Sequence, residues 1–437
     1  MKNVPHSRPI GIDLFAGAGG LSLGFEQAGF DVKACVEIDP IHAAVHKYNF
    51  PQCATLCRSV IDVTGNEIRA AAGIGEQPVD VVFGGAPCQG FSMIGKRALD
   101  DPRNQLVHHF VRIVVELNAN YFVFENVRGL TVGKHRQFLQ EIIEAFKECG
   151  YDVLDPYRVL NAVDYGVPQD RKRLFLIGCR KGLTLPSYPM TREPVTVWDA
   201  IADIPNAEEF EELLSTDSVK ATFKKGSPYA RRLRNLEVDP DDYSYPRQYN
   251  RNLLTSSART VHTELSKSRF IETEQGKTEP VSRFLKLDPQ GVCNTLRAGT
   301  DSARGAFTSP RPIHPIEPRV ITVREAARLH SYPDWFRFHA TKWHGFREIG
   351  NSVPPILGRS VASAVIASIG NQPSKPTEIL QRGSEALLNL DMSEAVTMFG
   401  LKTCPIANRN RVLTPPILKN LSVGQTTREQ QPVQSVA

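Results

Sequence analysis

A cysteine in a glycine-flanked loop is the first residue whose setting suggests chemistry. Cys88 lies in the segment GGAPCQGFS, directly after the apolar run Val79–Phe83. Free cysteines are often small core side chains, but a Pro-Cys step between glycines is typical of a loop. A strand ending there would place Cys88 at the carboxyl edge of a sheet, where open α/β sheets bind ligands. Its thiolate form would be a nucleophile.

A carboxylate and two arginines flank other apolar runs. Glu125 follows Tyr121–Phe124, where a buried carboxylate is costly unless it is paired or functional; it could also cap the next helix. Arg171 and Arg173 lie in the segment QDRKR, just before another apolar run. Two arginines at this spacing could hold an anion or a nucleobase edge, or belong to a basic surface loop.

A glycine-rich turn, DLFAGAGG, ends the first apolar run and begins at Asp13. Its glycines let a ligand approach the backbone closely, and its GxGG spacing differs from the dinucleotide fingerprint GxGxxG. Glu37, Asp39 and Asp62 are expected at the ends of the next two strands, where an acidic residue commonly holds ribose hydroxyls. Together, the turn and the acids favour a nucleoside ligand.

Alternating strand and helix patterns over the first ~180 residues predict an α/β fold with a mostly parallel sheet. Apolar side chains at helical spacing predict helices over Asn104–Leu117 and Phe138–Cys149. Residues 183–318 are proline-rich, polar and weakly periodic, and the α/β pattern returns near Arg319. The predicted organisation is an α/β unit at 8–182, a loop-rich unit at 183–318, a return segment at 319–370 and an extension at 371–437. In the extension we expect a short helix over Glu385–Phe399 and a disordered end.

Composition narrows the class of protein. The chain has 437 residues, and 52 Lys and Arg against 47 Asp and Glu give a net charge of +5, which permits an anionic partner without demanding one. Its eight cysteines include no CxxC pair, which argues against a zinc site and a disulfide scaffold. The apolar stretch from Val361 is too short to span a bilayer, and the first nine residues lack a signal-peptide core. We therefore expect a cytoplasmic protein without a metal ion or a membrane contact.

In this order, the motifs resemble one family, the DNA (cytosine-5) methyltransferases of bacterial restriction-modification type. The matching segments are DLFAGAGG, the acids at 37 and 39, GGAPCQGFS, FENV, QDRKR, RVITVREAARLHSYPDWF and IGNSVPP. The resemblance covers about residues 10–370 except 183–290, with no departure at a catalytic position. It implies a Rossmann-like sheet that binds S-adenosylmethionine, and a second, smaller, loop-rich target-recognition domain.

The resemblance also implies residue roles. Cys88 would add to C6 of a cytosine flipped out of duplex DNA, so that C5 can attack the methyl group of S-adenosylmethionine. Protonated Glu125 would contact ring N3 and the 4-amino group, and Arg173 would hold the carbonyl oxygen with support from Arg171. The resemblance also implies the residues that bind the cofactor, with Glu37 at the ribose and Asp62 at the adenine amino group. The full set is Phe15, Gly17, Gly20, Glu37, Asp62, Pro87, Asn351 and Ser352.

In this family the unit at 183–318 reads the DNA target, and its basic and aromatic residues fit phosphate and base contacts. Lys224 and Arg232 are our candidate DNA contacts there. Arg103 is a third, in a loop over 91–104 that is placed to close over the site. Duplex DNA is the expected partner and a cognate restriction endonuclease a candidate partner. We expect a monomer associated with nucleoid DNA.

Other functions stay open on the sequence. A tRNA cytosine-5 methyltransferase would share much of this scaffold, although the long segment between QDRKR and VREAARLH and the form of GGAPCQGFS favour DNA. A non-catalytic DNA-binding homologue would be favoured by replacement of Cys88 or Glu125, and neither is replaced. A dinucleotide oxidoreductase fits less well, because the glycine loop is of the wrong type and no hydride-transfer partner is evident.

Overall fold

The computed structural model describes residues 8–87, 105–133, 135–299 and 311–406. An eight-stranded sheet forms its centre, in the order β3-β2-β1-β4-β5-β8-β6, with β7 also paired to β8. Strands β1 to β5 run parallel, whereas β6, β7 and β5 are each antiparallel to β8. The strands are β1 (Ile10–Leu14), β2 (Asp31–Val36), β3 (Ala54–Leu56), β4 (Val81–Gly84), β5 (Tyr121–Val127), β6 (Tyr151–Val153), β7 (Arg158–Asn161) and β8 (Lys172–Arg180). The predicted α/β class and Rossmann-like sheet are confirmed.

Helices cover both faces of this sheet. They are α1 (Gly20–Ala28), α2 (Pro40–Asn49), α3 (Gly65–Ala72), α4 (Gln105–Glu116), α5 (His135–Glu148), α6 (Val197–Ile201), α7 (Pro228–Leu233), α8 (Glu264–Glu272), α9 (Val323–Leu329), α10 (Lys342–Asn351), α11 (Pro355–Ile369) and α12 (Met392–Met398). Because side chains alternate along a strand, Phe83 and Val123 join the core with α1 and α9 to α11. Phe122 and Phe124 join the other core, with α4 and α5.

The contact between α1 and α11 brings the two ends of the α/β unit together. A Cβ at Gly24 would lie only 2.7 Å from the backbone nitrogen of Arg359, so glycine allows the two helix backbones to approach closely. A Cβ at Gly20 would lie 2.6 Å from the carbonyl oxygen of Val353. The turn before α11 is therefore held against the glycine loop before α1.

Residues 183–318 are loop-rich, as predicted, with α6 to α8 and one short pair of strands, β9 (Val219–Lys220) and β10 (Leu253–Leu254). Part of this region shares the main core, since Ile201 and Leu254 belong to the same apolar cluster as Leu329 of α9. Phe270 and Ile313 form a small separate cluster with Val320. The fully buried Arg328 donates hydrogen bonds to Asp203 at 3.1 Å and to Asp334 at 2.5 Å. The region is thus anchored to the return segment by buried contacts.

Two predicted elements are different in the structure. Asp62 does not end a strand: it closes a 3-10 helix, Val60–Asp62, whose N-cap is Ser59. The helix expected over Glu385–Phe399 is split into a 3-10 helix and α12, because Asp391 caps α12 and accepts a hydrogen bond from the Glu394 backbone. The predicted disordered end begins beyond residue 406 and lies outside the described residues.

By length and composition alone, residues 342–369 would suffice to cross a membrane, since an 18-residue window within them has a mean hydropathy of 1.3. In the structure this stretch is two helices, since α10 ends at Asn351 and α11 begins at Pro355. Val361 and Val365 of α11 are fully buried in the protein core. The apolar residues of α11 are therefore those of a helix in the protein core.

Candidate active site

A cavity of about 590 Å³ opens at the carboxyl ends of the parallel strands. Strand order reverses between β1 and β4, and α/β proteins bind ligands at such a point. Its wall includes the loops after β1, β2, β4 and β5 and the turn between α10 and α11. The predicted site residues in this wall are Phe15, Gly17, Gly20, Glu37, Pro87, Glu125, Arg173, Asn351 and Ser352. Sequence motifs more than 300 residues apart thus meet in one cavity.

The glycine loop has a backbone that few side chains tolerate. Phe15 has a φ of 61°, Gly17 of 56° and Gly19 of 101°. For a bulky residue such as Phe15 this left-handed conformation costs free energy and persists only where the surrounding structure imposes it. A Cβ at Gly17 would meet no described atom within 4 Å, so the glycine there faces open space. The loop therefore exposes backbone to the cavity.

Glu37 is fixed at the cavity wall by two backbone amides. Its Oε2 accepts a hydrogen bond from the Gly17 nitrogen at 2.7 Å, and its Oε1 accepts one from the Asp39 nitrogen at 2.8 Å. Asp39 in turn caps α2, accepting from the Ile41 nitrogen at 3.0 Å. Each oxygen of Glu37 keeps a second lone pair, so the buried carboxylate can accept from two hydroxyl groups of a ligand.

Asp13 is the first residue of the glycine motif, and the sequence alone predicted no role for it. It is buried, and its Oδ2 accepts a hydrogen bond from Ser22 at 2.6 Å. Its other oxygen, Oδ1, has no hydrogen-bond partner among the described residues. Burial, with a smaller contribution from Glu37, raises the pKa of Asp13 to about 8. A cationic ligand in the cavity would favour the ionised form of Asp13.

Glu125 and Arg173 form an ion pair at the other end of the wall. The Arg173 Nε lies 2.9 Å from Glu125 Oε1, and both side chains are largely buried. Glu125 pairs with Phe175 across the antiparallel β5–β8 ladder, so Arg173 is its diagonal neighbour on the same face. Burial raises the pKa of Glu125, although both Arg173 and Arg171 oppose the shift.

The turn after β4 is tied to β5. Asn126, which is buried, donates a hydrogen bond to the Ala86 carbonyl oxygen at 2.9 Å. A Cβ at Gly85 would collide with the Glu125 carboxylate, so Glu125 can keep this position only beside a glycine. Cys88 comes one residue after Pro87 but lies outside the described residues, as does Arg103. The structure therefore shows the approach to Cys88, and its position in the site stays a prediction.

Arg171 does not stand beside Arg173 in the cavity wall. It is completely buried, and its guanidinium donates to three backbone carbonyl oxygens: Leu296 at 2.8 Å, Gly350 at 2.8 Å and Ser352 at 2.7 Å. The predicted role of Arg171 as a support for Arg173 stays a prediction. Arg171 positions the turn that carries Asn351 and Ser352.

Asp62 is also outside the cavity wall, although Ser59 and Val60 of the same 3-10 helix are in it. The Asp62 carbonyl oxygen accepts a hydrogen bond from Arg58, and its side chain is exposed. The structure as described gives no support to the predicted contact between the Asp62 carboxylate and an adenine amino group.

Cys35, His46 and Cys53 offer potential metal-ligand atoms that all lie within 4.8 Å of one another. The sequence pattern gave no sign of this cluster, because its members approach only through β2, α2 and the residue before β3. His46 Nδ1 lies 3.3 Å from Cys35 Sγ, and its Nε2 lies 3.0 Å from Ser22 Oγ. Burial raises the pKa of Cys35 well above its usual value. The group is best described as a hydrogen-bonded part of the core.

Comparison with known proteins identifies the family. The model of the C-5 cytosine-specific DNA methylases matches residues 11–367. The chain belongs to this family. The matched range contains the glycine loop, Glu37, Glu125, Arg173 and the turn before α11, and it ends shortly before the C-terminal extension.

Individual relatives agree with this assignment. The methylase is 65% identical over 410 residues to the type II methyltransferase M.XorII of Xanthomonas oryzae, covering 94% of this chain and 97% of the relative. It is 34% identical over 368 residues to M1.HphI of Haemophilus parahaemolyticus, covering 83% and 87%. A solved structure from E. coli, described as a DNA modification methyltransferase encoded within a prophage, is 34% identical, with a TM-score of 0.69 over 83% of this chain and all of that one.

Several basic residues of 183–318 in this methylase are paired with acids. Arg247 is buried against Glu26 of α1, with a shortest distance of 2.5 Å, and Arg234 lies 3.6 Å from Asp203. The candidate Arg232 is exposed but lies 3.3 Å from Glu237. The candidate Lys224 is exposed. Arg234 and Arg247 therefore stabilise the fold and do not form part of an exposed DNA surface.

Several cavity residues of the methylase were missed by sequence reasoning. They are Asp13, Ile38, His42, Arg58, Ser59, Val60, Leu106, Arg347, Glu348 and Ile406. Arg347 and Glu348 directly precede the IGNSVPP motif, so an extension of that motif toward the N-terminus would have found them. His42 follows the cap residue Asp39 by three positions, on the first turn of α2. Ile406 has no sequence signal.

Proposed function

We propose that this methylase transfers a methyl group from S-adenosylmethionine to carbon 5 of a cytosine in a specific duplex DNA sequence, as the modification enzyme of a type II restriction-modification system. The observation that carries the proposal is one cavity holding the glycine loop and Glu37 together with the Glu125–Arg173 pair. The names of the relatives support a type II assignment. The cellular setting would be DNA in the cytoplasm, and a cognate endonuclease would be the second member of the system.

The cavity residues fit S-adenosylmethionine by charge and shape. This cofactor supplies its methyl group as an electrophile on a positively charged sulfonium. Asp13 has a buried oxygen without a described partner, and Glu37 adds a second carboxylate, so the cavity suits a cationic ligand. Glu37 would accept from the ribose hydroxyls, while Gly20 and Ser352 would leave space for the methionine part.

Cys88 would be the nucleophile. Its thiolate would form a bond from Sγ to cytosine C6, which makes C5 electron-rich and able to attack the methyl group. The bond between the methyl carbon and the sulfonium sulfur would break, and the sulfur would leave as a neutral thioether. After methylation the C5 proton leaves to a base, and the Sγ–C6 bond breaks to release the product and the thiolate. Covalent addition divides one difficult step into easier ones. Because C6 is inaccessible in a stacked duplex, the base must flip out, at a cost of a few kcal/mol.

Glu125 and Arg173 would hold the flipped base. A protonated Glu125 can donate a hydrogen bond to N3 while Cys88 adds at C6, which relieves the negative charge that develops on the ring. Burial already raises the pKa of Glu125 in the cofactor-free protein, and that favours the protonated form. Arg173 lies 2.9 Å from this carboxylate and would donate to the carbonyl oxygen of the base.

Target recognition would lie in residues 183–318, with Lys224 as the exposed phosphate-contact candidate of this region. Arg232 would contact DNA only by exchanging its partner Glu237 for a phosphate. The catalytic unit at 8–182, the return segment at 319–370 and the extension at 371–437 complete the proposed division, with the monomer as the working unit.

Bisulfite sequencing of DNA from cells expressing the protein tests the proposal. The host should lack other cytosine methylases, and cells expressing Cys88→Ala provide the matched control. We expect cytosines protected from conversion at one short sequence motif with the wild type and at none with the variant. Absence of protected cytosines with a folded, expressed wild type would refute the proposed function.

Replacing Glu37 by glutamine should weaken S-adenosylmethionine binding by about 10- to 100-fold, since a hydrogen bond to a charged group contributes ~1.5–3 kcal/mol. The control Glu144→Gln removes the same charge from an exposed position on α5. Calorimetric titration measures both variants. Equal cofactor affinities for the two would exclude Glu37 from the cofactor site.

Binding of the cofactor should release a proton from Asp13 near pH 7. Asp13 is mostly protonated there because its pKa is about 8, and a cationic ligand favours its ionised form. Affinity should therefore rise with pH up to about 8. In contrast, the stability of the cofactor-free protein should fall as pH rises from the ordinary aspartate pKa toward 8, because the folded state binds the extra proton. Calorimetry in two buffers of different ionisation enthalpy measures the release, and Asp13→Asn should abolish it; an unchanged release would exclude Asp13 as its source.

A further inference from the structure

Residues 371–406, which we name the C-terminal strap, follow the family match that ends at residue 367. They are nevertheless tied to the elements around the cavity. The Gly383 nitrogen donates to the carbonyl oxygen of Tyr48 in α2 at 2.8 Å, and the Leu388 carbonyl oxygen accepts from the Ala340 nitrogen at 2.9 Å. His339 Nε2 donates to the Leu390 carbonyl oxygen at 3.0 Å. After these contacts, α12 packs along α2.

The strap supports the glycine loop from behind. Leu388 is 1% exposed and packs in a small apolar cluster with Ala18, Val45 and Tyr48. Ala18 stands between Gly17 and Gly19 of the glycine loop, whereas Val45 and Tyr48 belong to α2. One strap residue therefore fills the space between the loop and the helix that both border the cavity.

The end of the strap reaches the cavity itself. Ile406, which is partly buried, is part of the same wall as Glu37 and Asp39. Burial raises the pKa of the Cys57 thiol, and Cys404, two residues before Ile406, lies close enough to raise it further, as Glu37 and Asp39 also do. The end of the strap therefore lies near the Glu37 side of the cavity.

We propose that the C-terminal strap is a functional part of the cofactor site, with Leu388 holding the glycine loop and Ile406 covering the adenosine part of bound S-adenosylmethionine. The inference rests on the proposed function, since it takes the cavity to be the S-adenosylmethionine site. Glu37 is assigned to the ribose, so an apolar side chain on its side fits the purine ring or its sugar. Ile406 carries no polar group, and its contribution is to exclude water from that part of the ligand.

The test compares two isoleucines of the strap. Ile406→Ala should raise the dissociation constant of S-adenosylmethionine about fivefold, as expected for partial loss of an apolar contact. Ile406→Asp should raise it more, because a charged carboxylate cannot replace the apolar contact and would have to lose water against the ligand. The matched control is Ile379→Ala, since Ile379 belongs to the same strap but is 57% exposed; its affinity should stay within twofold of wild type. Calorimetry measures cofactor binding, and thermal unfolding of the cofactor-free protein monitors the fold.

Two truncated proteins, which end on either side of Ile406, complement the point variants. A chain ending at residue 405 lacks Ile406, whereas one ending at residue 408 keeps it. The shorter chain should reproduce the loss of affinity seen for Ile406→Ala, and the longer one should bind as wild type does.

The outcomes distinguish failure of the strap proposal from failure of the proposed function. Weaker cofactor binding by the Ile406 variants, with unfolding temperature and cofactor-free DNA binding unchanged, supports the proposal. Wild-type affinity in those variants would overturn the strap's role while leaving the proposed function intact. A matching fall in the unfolding temperature would also overturn it, because Ile406 would then be only structural. A wild-type protein that binds no S-adenosylmethionine would overturn the proposed function itself.

Discussion

Replacing Cys88 by serine will abolish methyl transfer and leave the binding of duplex DNA intact. A serine hydroxyl is far less ionised than a thiol near neutral pH, so the variant cannot supply the nucleophile for C6. Loss of a covalent nucleophile typically costs ~10³-fold or more in rate. DNA binding should persist, since the cysteine makes no phosphate contact in the proposed mechanism. Methyl transfer to duplex DNA and gel-shift affinity measure the two effects.

Cys149→Ser is the matched control for this prediction. Cys149 is an exposed thiol just after α5, and the same substitution there should change neither activity nor binding. A Cys88→Ser protein with activity within tenfold of wild type would contradict covalent catalysis by Cys88.

Replacing Glu125 by glutamine should lower the turnover number by about 10²- to 10⁴-fold, the range associated with general acid catalysis. The amide is close to the carboxyl group in size but cannot transfer a proton to N3. Because burial raises the pKa of Glu125 and its active form is protonated, wild-type turnover should fall as pH rises through that pKa. The variant should lose this dependence.

Single-turnover kinetics over a range of pH measures the rate of methyl transfer in wild type and Glu125→Gln without a contribution from product release. Glu144→Gln, on the exposed face of α5, serves again as the charge-loss control. Turnover that is equal in wild type and Glu125→Gln, or that keeps its pH dependence in the variant, would remove Glu125 from the proton-transfer step.

Local sequence patterns predicted much of this site. The glycine loop, Glu37 and Glu125 each follow an apolar run that forms a strand, and the ends of parallel strands meet at one edge of the sheet. Asp39, which was expected only as an acid at a strand end, in fact caps α2 through side-chain hydrogen bonds. Glu37 and Glu125 lie in the cavity wall as these patterns predicted, whereas Asp62 does not, because its segment forms a 3-10 helix and not a strand end.

Long-range partners could not be predicted from the local sequence. Arg171 and Arg173 are two residues apart, and nothing local separates their roles. The carbonyl groups that bury Arg171 come from Leu296 and from Gly350 and Ser352, 125 to 181 residues away. Likewise Arg247 is neutralised by Glu26, 221 residues earlier. A basic segment in the sequence therefore contained side chains that the fold uses internally.

The most direct test of the central claim is trapping on duplex DNA that carries 5-fluorocytosine at the target site. Fluorine at C5 blocks the final elimination, so the enzyme should stay bound to C6. With S-adenosylmethionine present, we predict a denaturation-stable adduct whose mass equals protein, DNA strand and methyl group, and whose peptide map places the link at Cys88. A DNA that remains free under these conditions, or an adduct on another residue, would contradict the account.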